Sequence, residues 1–237
     1  MPTFRLDLAY NGSGFFGYAK QPTLRTVQGE LEKALSHHTG AIDTSVAGRT
    51  DKGVHATGQV VSFDGPPIDV ERVQRSVNKQ LAPDIAVSGL REAAPGFHAR
   101  FSATGRAYIY RINNHPVHDP LTASYTWTVG PPLDVDAMNE SVEALLGEHD
   151  FAAFCRKTGD SPTTRRLDWA RWRREGDQVE LSIGASSFCH QMVRSIVALC
   201  VEIGRGRMPA SDIERILEGA NRADAKGVAP AHGLEFV

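Results

Sequence analysis

The sequence is poor in the features that define several protein classes. It has three cysteines among 237 residues, at positions 155, 189 and 200, and no Cys-x-x-Cys spacing. This odd, scattered set argues against a disulfide framework and a thiolate zinc site, and we expect Cys200, in an apolar helical pattern, to lie in the core. No apolar run reaches the length of a membrane span, and the chain opens on a strand-like pattern without a signal peptide. We therefore expect a cytoplasmic protein that does not associate with membranes.

The chain also has no large excess of positive or negative charge. The formal net charge is −2, with 26 Lys and Arg against 28 Asp and Glu. A nucleic-acid-binding surface, if the chain has one, must therefore be local and balanced by acid elsewhere. One basic run lies between residues 155 and 174, and its candidates for contact with an RNA backbone are Arg156, Lys157, Arg165 and Arg166. The same run is also typical of a solvated loop and strand face.

Patterns for metal and nucleotide cofactors are missing. His115, His118 and Asp119 could form a metal corner, but Pro116 and Pro120 place them in a loop with no obvious further ligands. The chain has no P-loop or dinucleotide-binding pattern. We predict that the protein uses neither a metal nor a cofactor.

Strand and helix patterns alternate along the chain, in similar order in its two halves. In the first half they predict strands over 4–10 and 85–90, strands on both sides of residue 51, a helix from 27 to about 40 capped by Thr26, and a helix over 70–81 capped by Asp69. In the second half they predict strands over 106–112, 169–174, 179–183 and 234–237, a helix over 134–146 ended by Gly147, a helix over 188–203, and a short helix with a capping box from Ser211 to Glu214. This grouping favours an α+β fold with helices packed on one face of the sheets. We predict two halves, residues 1–104 and 105–237.

Residues 46–63 carry the candidate chemistry. They place Arg49, Asp51 and Lys52 in a glycine-punctuated loop that runs into an apolar-rich strand. A loop on a rigid scaffold is a common way to present one polar side chain to a cleft. Asp-x-Gly alone is typical of a tight turn, but a turn needs neither Arg49 nor the nearby His55. The whole string therefore favours Asp51 as a catalytic residue.

The string from Gly48 to Ala56, Gly-Arg-Thr-Asp-Lys-Gly-Val-His-Ala, resembles the central motif of the TruA family of tRNA pseudouridine synthases. Further blocks resemble the same family in the same order, over residues 10–18, 26–32, 97–103, 106–110, 147–151, 190–197 and 229–234. The resemblance implies two halves with mixed, mainly antiparallel sheets joined across a central cleft. It also implies a homodimer that isomerises uridine to pseudouridine at positions 38–40 of the tRNA anticodon stem-loop, without a cofactor.

The resemblance also implies roles for individual residues. Asp51 is the catalytic carboxylate, acting as a nucleophile or as a base, and Arg194 pairs with it. Tyr108 stacks on the uracil and assists proton removal from C5, and Leu234 gives the base an apolar wall. Independently of the resemblance, Arg49 is the candidate to fill the space that a flipped base leaves, because it lies near Asp51 in the sequence and is long enough to enter a base stack.

Other interpretations of these residues stay open from the sequence. Arg49 could form a structural salt bridge, and Arg194 could be a solvated helix residue. Tyr108 could be a packing residue, and Tyr110 lies on the same alternation. Lys52 replaces a residue that is usually small in the family, and it would lower the pKa of Asp51 if close or contact a phosphate if it pointed outward.

Position 18 is Tyr where the family usually has Trp, so contacts of that loop are not carried over. Two alternative functions remain: a non-catalytic RNA-binding or RNA-remodelling module on this scaffold, and a synthase of the same chemistry with another RNA target.

Overall fold

A computed structural model of the chain describes residues 1–156, 159 and 161–237. The chain divides into two compact units, Met1–Thr104 with Glu235–Val237, and Gly105–Leu234. The described residues form ten β-strands and five α-helices, which confirms the predicted α+β class. No helix in these described ranges is long and apolar enough to cross a membrane.

The first unit is built on a mainly antiparallel set of strands. Its strands are β1 (Thr3–Tyr10), β2 (Ser45–Val46), β3 (His55–Asp64) and β4 (Ile85–Glu92), joined by the end of β10 (Leu234–Phe236). β1 pairs antiparallel with β3 and β4, and β2 pairs antiparallel with β3. Glu235 and Phe236 pair in parallel with His55 and Ala56. In β1 every second residue from Phe4 to Tyr10 is buried, so the predicted alternation is confirmed.

Two capped helices cover this unit's strands. They are α1 (Val27–Thr39) and α2 (Val70–Leu81). The Thr26 hydroxyl accepts a hydrogen bond from the Gly29 amide at 3.2 Å, and the Asp69 carboxylate accepts one from the Arg72 amide at 3.1 Å. Both predicted N-caps are therefore confirmed. The Asn78 side chain then ties α2 to β4 through two hydrogen bonds with the Val87 backbone, at 2.9 and 2.7 Å.

The second unit has a longer antiparallel arrangement. Its strands are β5 (Arg106–Asn113), β6 (Trp127–Thr128), β7 (Gly147–Asp150), β8 (Thr164–Glu175) and β9 (Gln178–Ala185). β9 lies between β5 and β8, β7 pairs with the outer side of β8, and β6 runs parallel to β5. β8 begins at Thr164 rather than at 169, so Arg165 and Arg166 lie on a strand. β2 is the predicted strand before residue 51, whereas β6 and β7 are too short to show a period in the sequence and were not predicted.

Two helices of the second unit differ in their limits from the prediction. Its helices are α3 (Val135–Glu143), α4 (Met192–Gly204) and α5 (Asp212–Gly219). α4 begins at Met192 and not at 188, because Gln191 has a left-handed backbone with φ of 66°. α3 ends at Glu143, and Gly147, with φ of 98°, opens β7 instead of closing the helix.

The predicted capping box of α5 is wrong. The Ser211 side chain makes no capping hydrogen bond, because its backbone is already helical, with φ of −62° and ψ of −19°. An N-cap side chain reaches the first free amides of a helix from an extended backbone. The chain instead enters α5 through backbone turns that begin at Pro209 and Ala210.

The cysteine prediction needs a correction. Cys155 and Cys189 are joined by a disulfide bond across 34 residues of sequence. The odd, scattered cysteines argued against a disulfide framework, and this prediction missed the bond because spacing in the sequence does not show which cysteines approach each other in the fold. The remaining cysteine is an unpaired thiol. Cys200 is that thiol; it is buried as predicted, and burial raises its pKa to about 11.

The disulfide predicts a thiol count. We expect the denatured protein to present one reactive thiol per chain, rising to three after reduction. We also expect reduction to lower the free energy of unfolding by about 3–4 kcal/mol, the chain-entropy value for a loop of this size. Thiol titration in denaturant and denaturant unfolding measure the two effects. Three reactive thiols without a reductant would contradict the pairing.

Candidate active site

The loop that carries Asp51 connects β2 to β3 and is fixed at both of its glycines. The Gln59 side chain, fully buried on β3, accepts from the Gly48 amide at 3.3 Å and donates to the Gly48 carbonyl at 2.7 Å. A Cβ atom at position 48 would lie 2.9 Å from the Phe236 ring, so a side chain there would displace that ring. Gly53 has φ of 82°, which favours glycine. The loop therefore has a defined path past Asp51.

A buried hydroxyl pair anchors the loop next to Asp51. Thr50 is buried, and its hydroxyl lies 2.7 Å from the hydroxyl of Tyr10 on β1. Burial raises the pKa of Tyr10 to about 12, although its hydrogen bonds with Thr50 and Gln59 act in the opposite direction. Tyr10 is therefore neutral at physiological pH, and its hydroxyl serves as a hydrogen-bonding anchor.

The other side of the loop is anchored by a histidine. His55 is buried, and its Nδ1 accepts a hydrogen bond from the Gly12 amide at 3.0 Å. A Cβ atom at Gly12 would collide with the carbonyl oxygen of Val54, so only glycine allows this approach. His55 therefore holds the segment after β1 against the start of β3. His55 was noted in the sequence because it lies near Asp51, and in the structure its ring supports the backbone at Gly12.

Tyr18, the departure from the family pattern, is also part of this support. It is fully buried, and its amide donates to the Thr50 carbonyl at 3.0 Å. Its ring centroid lies 6.3 Å from that of Tyr10. The change to tyrosine at position 18 therefore falls beneath the loop, among packing residues.

The loop leaves its charged residues at the surface. Asp51 is half-buried, whereas Arg49 and Lys52 on either side of it are exposed. The Lys52 ammonium lies 4.1 Å from the centroid of the Phe16 ring. The structure thus brings three of the predicted site residues together in the first unit, with the carboxylate between two cations in the sequence.

Tyr108 and Tyr110 lie on β5 in the second unit, and their surroundings differ. Tyr108 is 9% exposed, and its ring packs nearly perpendicular to that of Phe188, with centroids 5.2 Å apart. Tyr110 is fully buried, and its hydroxyl donates to the Pro230 carbonyl at 2.9 Å. The hydroxyl of Tyr110 is therefore engaged with the backbone. Tyr108 is therefore the more exposed of the two tyrosines.

Arg194, on the first turn of α4, is half-buried and ordered by the chain near the C-terminus. Its Nε donates to the Ala229 carbonyl at 2.7 Å, and the Ala229 amide donates to the Arg194 carbonyl at 3.0 Å. Burial raises the pKa of Tyr110, and the charge of Arg194 acts against that rise. Arg194 is thus held in a defined position, as a positioned cation requires. Leu234, also predicted for the site, is 5% exposed.

The basic candidates of the second unit are not equivalent. Arg156 is exposed, and its amide donates to the His190 carbonyl at 2.9 Å. Arg165 is half-buried and bonds to the Thr164 carbonyl, whereas Arg166 is exposed and pairs with Asp168 at 3.0 Å. Lys157 lies outside the described residues. Among the described residues, no group of three or more His, Cys, Asp or Glu is placed to hold a metal ion.

The chain is similar to known proteins over nearly its whole length. The family model described as tRNA pseudouridine synthase matches residues 8–102 and 142–237. The chain belongs to this family. Relatives named tRNA pseudouridine synthase A occur in Leifsonia xyli, 43% identical over 98% of this chain and 88% of the relative, and in Frankia casuarinae, 45% identical over 98% and 87%. One from Halalkalibacterium halodurans is 42% identical over 99% and 90%. The predicted family is confirmed, and so is the prediction that the protein is an isomerase.

The Asp51 loop has a fixed backbone, and such a backbone matters for the chemistry of a tRNA pseudouridine synthase. A carboxylate that must react with one atom of a bound nucleoside needs a fixed backbone, because small displacements of a reacting group are costly. The buried contacts of Tyr10, Gln59 and His55 give the loop such a backbone. Sequence reasoning missed Tyr10 and Gln59 as supports. The signal was present at Gln59, a polar residue inside the apolar-rich run of β3.

Proposed function

We propose that the chain isomerises uridine to pseudouridine at positions 38–40 in the anticodon stem-loop of tRNA, in the cytoplasm, with Asp51 as its catalytic carboxylate. The observation that carries the role of Asp51 is the anchored loop with a half-buried Asp51 and exposed cations on both sides of it, whereas the target positions follow the family resemblance. A carboxylate placed this way serves a reaction, because a surface that only binds phosphates gains nothing from a negative charge.

The reaction needs a carboxylate and no redox partner. The N1–C1′ bond of uridine breaks, the uracil turns, a C5–C1′ bond forms, and C5 loses a proton while N1 gains one. A carboxylate can capture the sugar carbon, as in retaining glycosidases, add to the base, or remove a proton from the sugar. All three routes use the carboxylate of Asp51, and none needs a cofactor.

The remaining roles are proposals for single residues. Arg49 is exposed and long enough to fill the stack that the flipped uridine leaves. We assign Tyr108 to the uracil ring, Leu234 to an apolar wall for the base, and Arg194 to pairing with the catalytic carboxylate and orienting it. Arg156, Arg165, Arg166 and Lys157 are proposed contacts to the RNA backbone.

We also propose that the active species is a homodimer. On the second unit, Trp169 is 46% exposed, although its ring packs closely over Gly184 of β9. Arg171 and Arg173, on the same strand, are exposed as well. A flat aromatic surface with arginines beside it has the composition of the well-packed centre of a protein interface.

The dimer proposal predicts the effect of a charge at position 169. We expect Trp169→Glu to weaken dimerisation by about 30-fold or more, because hot-spot aromatics contribute about 2 kcal/mol or more. Analytical ultracentrifugation at micromolar protein measures this, with Trp169→Phe as the matched control. A monomeric wild-type protein, or a Trp169→Glu variant that dimerises normally, would contradict this interface.

Substrate mapping tests the proposed target. Unmodified tRNA would be offered in four forms: with its anticodon-arm uridines intact, and with those at positions 38, 39 or 40 changed to cytidine. We expect pseudouridine only at the uridines that remain within this window. Modification confined to another part of the tRNA, or to another RNA, would reject the proposed target and leave the reaction class intact.

A further inference from the structure

Phe16 is a large aromatic side chain that the first unit leaves at its surface, beside the Asp51 loop. It is 43% exposed, and the Lys52 ammonium lies 4.1 Å from its ring centroid. A cation at this distance over a phenyl face is attracted by the ring quadrupole. Lys52 directly follows Asp51 in the sequence, so the ring controls the position of a charge next to the proposed catalytic group.

The backbone of Phe16 is fixed relative to that loop. The Phe16 amide donates to the Arg25 carbonyl at 2.9 Å, and the Gln21 side chain donates to the Phe16 carbonyl at 3.0 Å. Gly17, with φ of 92°, follows it, and a Cβ atom there would lie 3.1 Å from the Thr50 carbonyl oxygen and 3.4 Å from the Lys52 amide. The chain at Phe16 and Gly17 therefore lies directly against the loop backbone. Phe16 therefore has a fixed backbone position beside the Asp51 loop.

The Phe16 ring lowers the conformational entropy cost of fixing the Lys52 side chain. A lysine side chain has about 2 kcal/mol of rotamer entropy to lose when it is fixed. A ring face that already holds the ammonium reduces this cost when a ligand binds, while the charge and the N–H donors remain. A compact, strongly hydrated ammonium of this kind suits a phosphate oxygen.

We propose that Phe16 is a positioning residue for Lys52, and that the Phe16–Lys52 pair binds a backbone phosphate of the RNA next to the uridine that is isomerised. This inference rests on the proposed role of the Asp51 loop and adds to it a substrate contact. Of the two interpretations of Lys52 that the sequence left open, this proposal adopts the phosphate contact. The pair thus sets how tightly the reacting nucleotide is held, and it does not take part in the chemical step.

The test compares four variants with unmodified tRNA. We expect Lys52→Met to raise KM by about 5- to 20-fold and leave kcat within about twofold, and to reduce the slope of log binding constant against log salt by about 1, as for the loss of one phosphate contact. Phe16→Leu should raise KM by about two- to fivefold, the range expected for one exposed cation–π contact. Phe16→Tyr retains the aromatic ring, so its KM should equal that of the wild type. Lys33→Met, a change of an exposed lysine on α1, is the matched control and should leave KM and the salt slope unchanged.

The double variant Phe16→Leu with Lys52→Met decides whether the ring acts through the ammonium. We expect its KM to equal that of Lys52→Met alone. Additive effects, or a Phe16→Leu variant that loses kcat and melting temperature with an unchanged KM, would reject the positioning role. A Lys52→Met variant that loses kcat, with a shifted acid limb in its pH profile and an unchanged KM, would show that Lys52 acts on Asp51 and would reject the phosphate contact.

Failure of the proposed function has a different signature. It would appear as a wild-type protein that binds tRNA but forms no pseudouridine. Failure of this inference alone would appear as an active wild-type protein whose KM and salt slope do not respond to Lys52→Met.

Discussion

Asp51→Asn should form no measurable pseudouridine in tRNA, with kcat reduced by at least about 10⁴-fold, the usual cost of removing a residue that reacts covalently. The amide has nearly the shape of the carboxylate but can neither attack a carbon nor accept a proton at neutral pH. Because the loop is held by Tyr10, Gln59 and His55, the variant should keep its fold. Pseudouridine content, measured by nucleoside chromatography after incubation with excess enzyme, gives the result.

Asp43→Asn is the matched control for this change. Asp43 is an exposed carboxylate in the same unit, so its loss removes one negative charge without touching the loop. We expect the control to retain wild-type activity, and both variants to bind tRNA and melt near the wild-type temperature. Activity of Asp51→Asn within tenfold of the wild type would remove Asp51 from the centre of the mechanism.

Tyr108→Phe should lower kcat by about 10²-fold or more while tRNA binding remains close to that of the wild type. In the role proposed for Tyr108, the phenyl ring of the variant would still stack on the uracil, but the hydroxyl that assists proton removal from C5 would be lost, and general base catalysis contributes about 10²–10⁴-fold. Burial of Tyr108 against Phe188 should hold the phenyl ring of the variant in place. Single-turnover rates with saturating enzyme separate this chemical step from binding.

Tyr110→Phe is the control that the structure provides on the same strand. Its hydroxyl donates to the Pro230 carbonyl in a buried position, so its loss leaves that carbonyl without this donor. We expect a loss of about 1–3 kcal/mol in the free energy of unfolding and a single-turnover rate within about twofold of the wild type. A Tyr110→Phe variant slower than Tyr108→Phe would reverse the assignment of the two tyrosines.

The parts of the fold that were predictable from the sequence are those with local signals. α2 is an example, because Asp69 and the stripe of Val73, Val77 and Leu81 lie within one short segment. The start of α4 was missed because nothing in the sequence marks Gln191 as left-handed. The disulfide between Cys155 and Cys189 depends on a long-range approach, which spacing alone does not encode.

The exposed residues of the site were predictable from the sequence, whereas the buried contacts that hold the loop were not. Arg49, Asp51 and Lys52 form a motif that stands out as a run of charged residues between glycines. The contacts beneath them join Tyr10 to Thr50 and Gln59 to Gly48, which are distant in sequence. Polar residues of this kind resemble ordinary strand residues until the chain is folded. The place of Phe16 under Lys52 is likewise a consequence of tertiary structure.

The most direct test of the account is the release of tritium from tRNA that carries tritium at uracil C5, because C5 must lose its hydrogen when it bonds to C1′. The purified protein, with no cofactor added, and its Asp51→Ala variant would each be incubated with this tRNA. We expect tritium release by the wild type and none by the variant. Equal release by both would contradict the role of Asp51, and no release by a wild-type protein that binds the tRNA would leave only an RNA-binding module or another RNA target.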